Sequence, residues 1–293
     1  MEKQIRFCGY KPEDYEAVCR FLIELNKTEK SHINCNWARF EWMAEHPMFD
    51  KSKIGSVGLW KDSESVVGAA VFDMYFGEAF CAALPGYEAL YPEIIDYAYR
   101  ELKDDSGLGI AICDDNQTEI NTAREAGFAI SDQTETIMSI GLDKPLFAEL
   151  PEGLRFKEMD HEKEEDGNEL QWLFWQGFDH GTDREEFERQ EEIEPPMRPH
   201  FNKHLSIAAE NSAGEKVSYC CLWYHENTDY AYVEPVCTIP SYRGKGAAKA
   251  VIYEALNRAA KLGAKKAYVI SDMAFYEKLG FKKEFHYTFY RKG

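Results

Sequence analysis

Arg243-Gly244-Lys245-Gly246-Ala247-Ala248 follows an apolar, strand-like run and opens a long amphipathic helical pattern. Two glycines and two alanines keep side chains off the main chain, so several N–H groups converge on one point. At a helix N-terminus the partial positive charge there favours an anion. Arg243 and Lys245 add formal charge. Six residues of this kind also fit an ordinary strand-to-helix turn, so the flanks decide. Upstream, residues 230–239 read as a strand with Pro235 in its middle. Downstream come a helix over 249–262, a strand over 265–270, a helix over 273–279 and a strand over 285–290.

Further outward, 154–158 reads as a strand, 169–178 and 184–190 as helices, and 205–210 with 217–225 as a hairpin around Asn211-Ser212-Ala213-Gly214. The first half has the same order, β-α-α-β-β-β-α-β-α-β. Its strands are expected at 4–8, 54–60, 66–75, 79–84, 108–113 and 134–142, and its helices near 15–25, 37–44, 91–102 and 118–126. Glu125-Ala126-Gly127-Phe128 echoes Lys278-Leu279-Gly280-Phe281, each after a short strand and helix, which marks a duplication. Residues 142–153, with Pro145 and Pro151, read as the linker and divide the chain into domains 1–150 and 151–293.

With 44% hydrophobic and 29% charged residues, the chain carries enough apolar material for a folded globular protein of two domains. No apolar stretch approaches the ~20 residues of a membrane span. Met1 to Arg6 runs into a strand pattern without the apolar segment of a signal peptide, so a cytoplasmic location is expected. The eight cysteines form no C-x-x-C pair and have no histidine at ligand spacing; buried free thiols and no metal are the expectation. A net charge of −18 argues against nucleic acid as a partner. The charge is unevenly spread: residues 160–194 hold 14 acidic and 3 basic residues, and residues 235–293 hold 12 basic and 4 acidic. One region suits a cation and the other an anion, unless both are simply solvated helix faces.

The second half resembles the GNAT-superfamily N-acetyltransferases. Three blocks carry the likeness: Glu234-Pro235-Val236-Cys237-Thr238 with its continuation through Ala248, the helix over 249–262, and Ala274-Phe275-Tyr276-Glu277-Lys278-Leu279-Gly280-Phe281. The first block fits the family's cofactor signature of Arg or Gln, two residues, Gly, one residue, then Gly or Ala. The resemblance implies an α/β (α+β) fold of two tandem GNAT-like domains, each a mixed, mostly antiparallel sheet flanked by helices. It also implies acetyl-CoA as cosubstrate and a primary amine as acceptor.

Coenzyme A presents a pyrophosphate, an amide-rich arm and a reactive thioester. The loop Arg243, Gly244, Lys245, Gly246, Ala247, Ala248 supplies donors for the first. The main chain of Val236, Cys237 and Thr238 can pair with the arm as an added strand would, provided that edge is free. Pro235, which lacks an N–H, marks the point where this strand leaves its neighbour. Tyr276 matches the family's tyrosine, which protonates the departing thiolate; its other role is packing beside Phe275 and Phe281. Glu234 is the candidate base, two residues from Val236 and on the same face if the pleat is regular, or else a surface charge. Cys237 is expected to point into the core, so direct attack by the acceptor is preferred to an acyl-enzyme.

The first half keeps the order of elements without this chemistry. Pro85-Gly86-Tyr87-Glu88-Ala89-Leu90 has one glycine, no base and an acid where a pyrophosphate would sit, and Ala123 falls opposite Tyr276. It reads as a degenerate domain. The short link Ser271 to Phe275 carries no asparagine, a departure from the family. The alternatives are a non-catalytic acyl-CoA-binding regulatory module and an unrelated nucleotide-binding domain; the latter needs an acid about 20 residues past the loop, and 255–268 contains none. The acidic run 179–194 suggests a cationic small-molecule or peptide acceptor. Trp172, Trp175 and Phe178 read as a core stripe, with an apolar wall for the acceptor as the other reading.

Overall fold

The computed structural model describes residues 4–28, 30–46, 49–160, 163–189 and 199–293. In the first half the chain runs β1 (Ile5–Gly9), α1 (Tyr15–Thr28), α2 (Trp37–Ala44), β2 (Gly58–Asp62), β3 (Ser65–Asp73), β4 (Tyr75–Ala83), α3 (Tyr91–Glu101), β5 (Leu108–Cys113), α4 (Gln117–Glu125) and β6 (Ala129–Gly141). In the second half it runs β7 (Arg155–Glu158), α5 (Glu164–Gly177), α6 (Arg184–Glu188), β8 (Ser206–Glu210), β9 (Lys216–Tyr224), β10 (Tyr230–Thr238), α7 (Ala247–Leu262), β11 (Lys266–Ile270), α8 (Ala274–Lys278) and β12 (Lys282–Lys292). The two halves repeat element for element, as the sequence predicts. Residues 54–56, expected to open a strand, lie in a 3₁₀ turn over Lys51–Ser56, and β2 starts only at Gly58. Asp50 explains this by capping that turn with its carboxylate on the Ser52 amide.

The chain packs as two compact units: Met1–Met138 with Ile270–Asp272 and Lys283–Gly293, and Ser139–Val269 with Met273–Lys282. The last strand therefore belongs to the first unit. In that unit the strand order is β1-β2-β3-β4-β5-β12-β6. β12 pairs antiparallel with β5 from Tyr287 opposite Cys113 to Lys292 opposite Leu108, and buries Tyr287, Phe289 and Tyr290. In the second unit the order is β11-β10-β9-β8-β7. β7, β8, β9 and β10 are antiparallel neighbours, and only β10–β11 is parallel.

The duplication reaches into hydrogen bonding. At the end of α4, Gly127 (φ 87°) donates to Arg124 and Phe128 donates to Ala123. At the end of α8, Gly280 (φ 88°) donates to Glu277 and Phe281 donates to Tyr276. The left-handed residue needs no Cβ, so glycine closes both helices in the same way. The alignment that sets Ala123 opposite Tyr276 is thus repeated atom for atom.

α7 lies on the second unit's sheet through Ala247, Ala250, Val251, Ala255, Leu256 and Ala259, all buried. Small side chains at helical spacing let its axis approach the strands closely. Gly246 (φ 93°) precedes it and Gly263 (φ 119°) ends it. No helix among the described residues is long and apolar enough to cross a membrane.

Candidate active site

β10 ends in the loop that begins the site. Ile239 leads into a 3₁₀ turn over Pro240–Tyr242, then Arg243 (φ −63°, ψ 146°) and Gly244 (φ 73°) form the middle of a turn whose second position needs a positive φ. Gly246 repeats the left-handed conformation and releases the chain into α7. The first amide of the helix to find a main-chain acceptor is Ala250, which donates to the Gly246 carbonyl. The amides of Gly246, Ala247, Ala248 and Lys249 have no acceptor among the described residues, as the first turn of any helix requires. A Cβ on Gly244 would meet nothing within 4 Å, and one on Gly246 only Pro151 at 3.9 Å, so the concave side is open. Donors, dipole and space fit a phosphate group.

Arg243 stands differently from the rest of the loop. Its Nε donates to the Thr238 carbonyl and its Nη2 to the Gly177 carbonyl, and the guanidinium pairs with Asp179 at 3.0 Å. It ties the end of α5 to the end of β10. The Lys245 ammonium lies over the Tyr242 ring at 5.1 Å. The loop's open donors are therefore main-chain groups, and its formal charge is partly engaged within the protein.

The splayed strand is built by two features of β10. It pairs with β11 only from Tyr230 to Tyr232, and beyond that its second edge has no strand partner among the described residues. Against β9 the register slips between Val233 and Val236, where β10 carries one residue more than its partner. Pro235, in a cis peptide with Glu234, sits in this bulge. After it, pairing resumes at Val236 opposite Cys220, Cys237 opposite Tyr219 and Thr238 opposite Ser218.

Parity assigns the edges. The Ile239 amide donates to Val217 on β9, so Cys237, two residues back, also turns its main chain toward β9, and Val236 with Thr238 turn theirs outward. The Arg243 bond to the Thr238 carbonyl on the outer side agrees. Cys237 is thus the exception among the three expected contact residues: its main chain faces β9 and its thiol is buried, pushed up to about 12 by that burial. Exposure alternates from Glu234 onward, with Glu234, Val236 and Thr238 half-buried and Pro235 and Cys237 buried.

Tyr276 reaches the same place from α8. It is buried against Phe275 and Phe281, with ring centroids 5.1 and 5.4 Å away. Burial raises its pKa well above the usual phenol value, and the proximity of Cys220 and the Glu234 carboxylate adds to the rise. The tyrosine and the glutamate therefore feel one another across the opened edge, with Cys220, the cross-strand partner of Val236, close to both. Packing and chemistry do not exclude each other here: the ring is in the core and the phenol is held protonated.

In the first unit the corresponding strands also part, since β4 pairs with β5 only at Glu78 and Ala79. The turn that follows is closed by its own acid: Glu88 Oε1 accepts from the Gly86 amide at 2.8 Å. A carboxylate occupies the donor that an anion would need.

The acetyltransferase (GNAT) family model matches residues 167–281. Residues 167–281 form a GNAT-family domain. Among solved structures, a GCN5-related N-acetyltransferase from Sphaerobacter thermophilus superposes with a TM-score of 0.58 at 16% identity, covering 98% of this chain and 95% of that one. A tandem GNAT protein from the clavulanic acid biosynthesis pathway gives 0.56 at 13% identity, covering 99% and 98%. N-myristoyltransferase of Saccharomyces cerevisiae gives 0.53 at 15%, covering 99% and 78%. At these identities the likeness is one of fold, and it extends over both units. A search of curated proteins finds no match.

Helix α5 departs from expectation. Leu170 and Leu173 are the buried stripe of α5, whereas Trp172 and Trp175 are half-buried and Phe178 is exposed. The tryptophans pack on Phe187 of α6 at 5.2 and 5.9 Å, and Arg184 covers Trp172 at 5.0 Å. The core-stripe reading fails because the helix turns its leucines and Gly177 to the sheet. Of the acids in 179–189, Asp179 pairs with Arg243, Asp183 caps α6 and Glu188 pairs with Arg184, which uses up part of the charge available to a cation. Residues 190–194 of that run lie outside the described residues. Sequence reasoning missed the Arg243 tie to Gly177 and Asp179 and the hydrogen bond from the Trp223 indole to the Glu234 carbonyl; neither has a local signal, since the partners lie 66, 64 and 11 residues away.

Proposed function

We propose that the second unit transfers an acetyl group from acetyl-CoA to a primary amine by direct attack. The observation that carries this reading is the joining, in one continuous segment, of a β10 edge without a strand partner past Tyr232, where Val236 turns its main chain outward, to an open ring of amides at Gly246 to Lys249. Few ligands need an extended amide arm on one side of a phosphate; coenzyme A does. Acetyl-CoA would supply an activated thioester carbonyl, its pyrophosphate held by the loop and its arm paired with the main chain of Val236, the Thr238 carbonyl being held by Arg243.

Each residue then has a task. Glu234 accepts the proton that the attacking ammonium must lose, through water. The Val236 amide faces the outer edge and donates toward the carbonyl oxygen as charge develops there. Tyr276, held protonated by burial, donates to the departing thiolate. Cys237 takes no part, because a buried thiol with a raised pKa is a poor nucleophile. A single active site is proposed, since Glu88 closes the other turn and Ala123 replaces the tyrosine.

The test is calorimetry with coenzyme A followed by a thiol-release screen of amines with acetyl-CoA, cationic acceptors first. Micromolar binding with amine-dependent thiol release is expected. Binding without release for any amine would instead support a non-catalytic acyl-CoA-binding module.

A further inference from the structure

The bulge in β10 creates a difficulty that its own strand cannot solve. Between the pairs Val233–Leu222 and Val236–Cys220, β10 advances three residues and β9 two, so main-chain groups at Glu234 and Pro235 fall outside the ladder. Pro235 has no N–H to satisfy. The Glu234 carbonyl does need a partner, because a buried acceptor without one is costly. Trp223 provides it: the indole Nε1 donates to that carbonyl at 2.8 Å. Trp223 sits opposite Tyr232 on the neighbouring strand, so its ring reaches two residues along β10 to the bulge. It is 2% exposed, which leaves the ring one well-packed position.

The carbonyl so held belongs to the peptide plane that joins Glu234 to Pro235. Fixing its direction fixes the rotation of that plane. The rotation sets where the Glu234 side chain leaves the strand on one side and how the chain enters Val236 on the other. We propose that Trp223 is a positioning residue for acyl transfer: its indole N–H locks the bulge in the shape that sets Glu234 and the Val236 amide on one face of the opened edge. This rests on the acetyl-transfer reading above. Trp223 touches neither reactant; it acts through Glu234 and Val236, as an ångström of misplacement at a reacting group is enough to lower turnover by about 100-fold.

The decisive variant replaces Trp223 with benzothienylalanine, which keeps the ring's shape and puts sulfur where the N–H was; Trp223→Phe is its companion. Two readouts separate the proposal from the functional reading beneath it. Amide hydrogen exchange over residues 230–239 of the free protein reports the bulge whether or not any reaction occurs. Steady-state kinetics with an amine acceptor report the reaction. In the benzothienylalanine protein, exchange at Val233 and Cys237 is expected to quicken about 10-fold, the range a lost hydrogen bond of this kind allows. Turnover should fall roughly 10- to 100-fold, with the dissociation constant for coenzyme A within about threefold, because the loop is untouched. The acid limb of the pH profile should change with it, and Glu234→Gln should cost less in this protein than in the wild type, since the two changes share one proton transfer. Unchanged exchange and turnover in the benzothienylalanine protein, or a loss confined to Trp223→Phe, would overturn the proposal and reduce Trp223 to packing. Quickened exchange in a protein whose wild type transfers acetyl to no amine would support the hold on the bulge and overturn the acetyl-transfer reading instead.

Discussion

At the level of single residues, the proposed acetyl transfer gives Tyr276 a part in chemistry and Gly246 a part in binding. Tyr276 is wedged between Phe275 and Phe281, and Phe fills the same space, so Tyr276→Phe removes one hydroxyl and little else. Turnover should drop by about 100-fold or more, the contribution expected of a general acid, while calorimetry shows coenzyme A affinity within about threefold. Equal turnover would assign the tyrosine to packing alone. Gly246 makes the opposite prediction. Its φ of 93° is open to glycine and strained for a β-branched residue by about 1–2 kcal/mol, although space around it is free. Gly246→Val should weaken coenzyme A binding at least about 10-fold by turning the first amides of α7 away from a common point. The glycines and Tyr276 were legible in the sequence because each acts through a local motif. The burial that holds Tyr276 protonated was not, since Cys220 and Glu234 come to it from strands 42 or more residues away.

Among elements, packing of α5 and the ends of β8 and β9 decides how firmly β10 is held. A Cβ at Gly177 would lie 2.8 Å from the Cβ and Sγ of Cys237, so helix and strand meet where only glycine fits. Gly177→Val should lower stability by about 1–3 kcal/mol in denaturant unfolding, as overpacking does elsewhere. Two turns earlier on α5, Glu169 contacts Lys216, whose Nζ is buried 2.8 Å from Glu210, and Arg155 caps Glu210 from outside. Burial alone would raise the Glu210 pKa, but Lys216 and Arg155 bring it below the ordinary carboxylate value. A carboxyl whose folded pKa lies below its unfolded one stabilises fully above the unfolded value, about 4.3, and loses that contribution as pH falls through the folded value. The melting temperature should therefore fall below pH 4 in the wild type and fall less steeply in Glu210→Gln. At pH 7 that variant should be weaker by about 3 kcal/mol, because it leaves Lys216 short of a buried partner.

For the molecule as a whole, the exchange of β12 has the largest consequence. Lys283–Gly293 is contiguous with the second half of the chain yet completes the first unit, where Tyr287, Phe289 and Tyr290 are 1%, 3% and 4% exposed. Each buried aromatic is worth about 3 kcal/mol, comparable in sum to the whole stability of a domain. A fragment of residues 1–138 should be unfolded by circular dichroism and should gain structure when a 283–293 peptide is added; a fragment that folds alone would overturn this. The amino-acid sequence by itself determined the order of elements, the duplication, the glycine-rich turn before α7 and its absence in the first half. All of these rest on glycine, proline and apolar spacing within a few residues. Only the tertiary structure decided which unit receives the last strand, that Arg243 binds carbonyls and an acid, that Cys237 turns its main chain inward, and that Trp223 answers the bulge. Those outcomes depend on which distant strand or helix lies alongside, and strand pairing between remote segments leaves no mark on the local pattern of either.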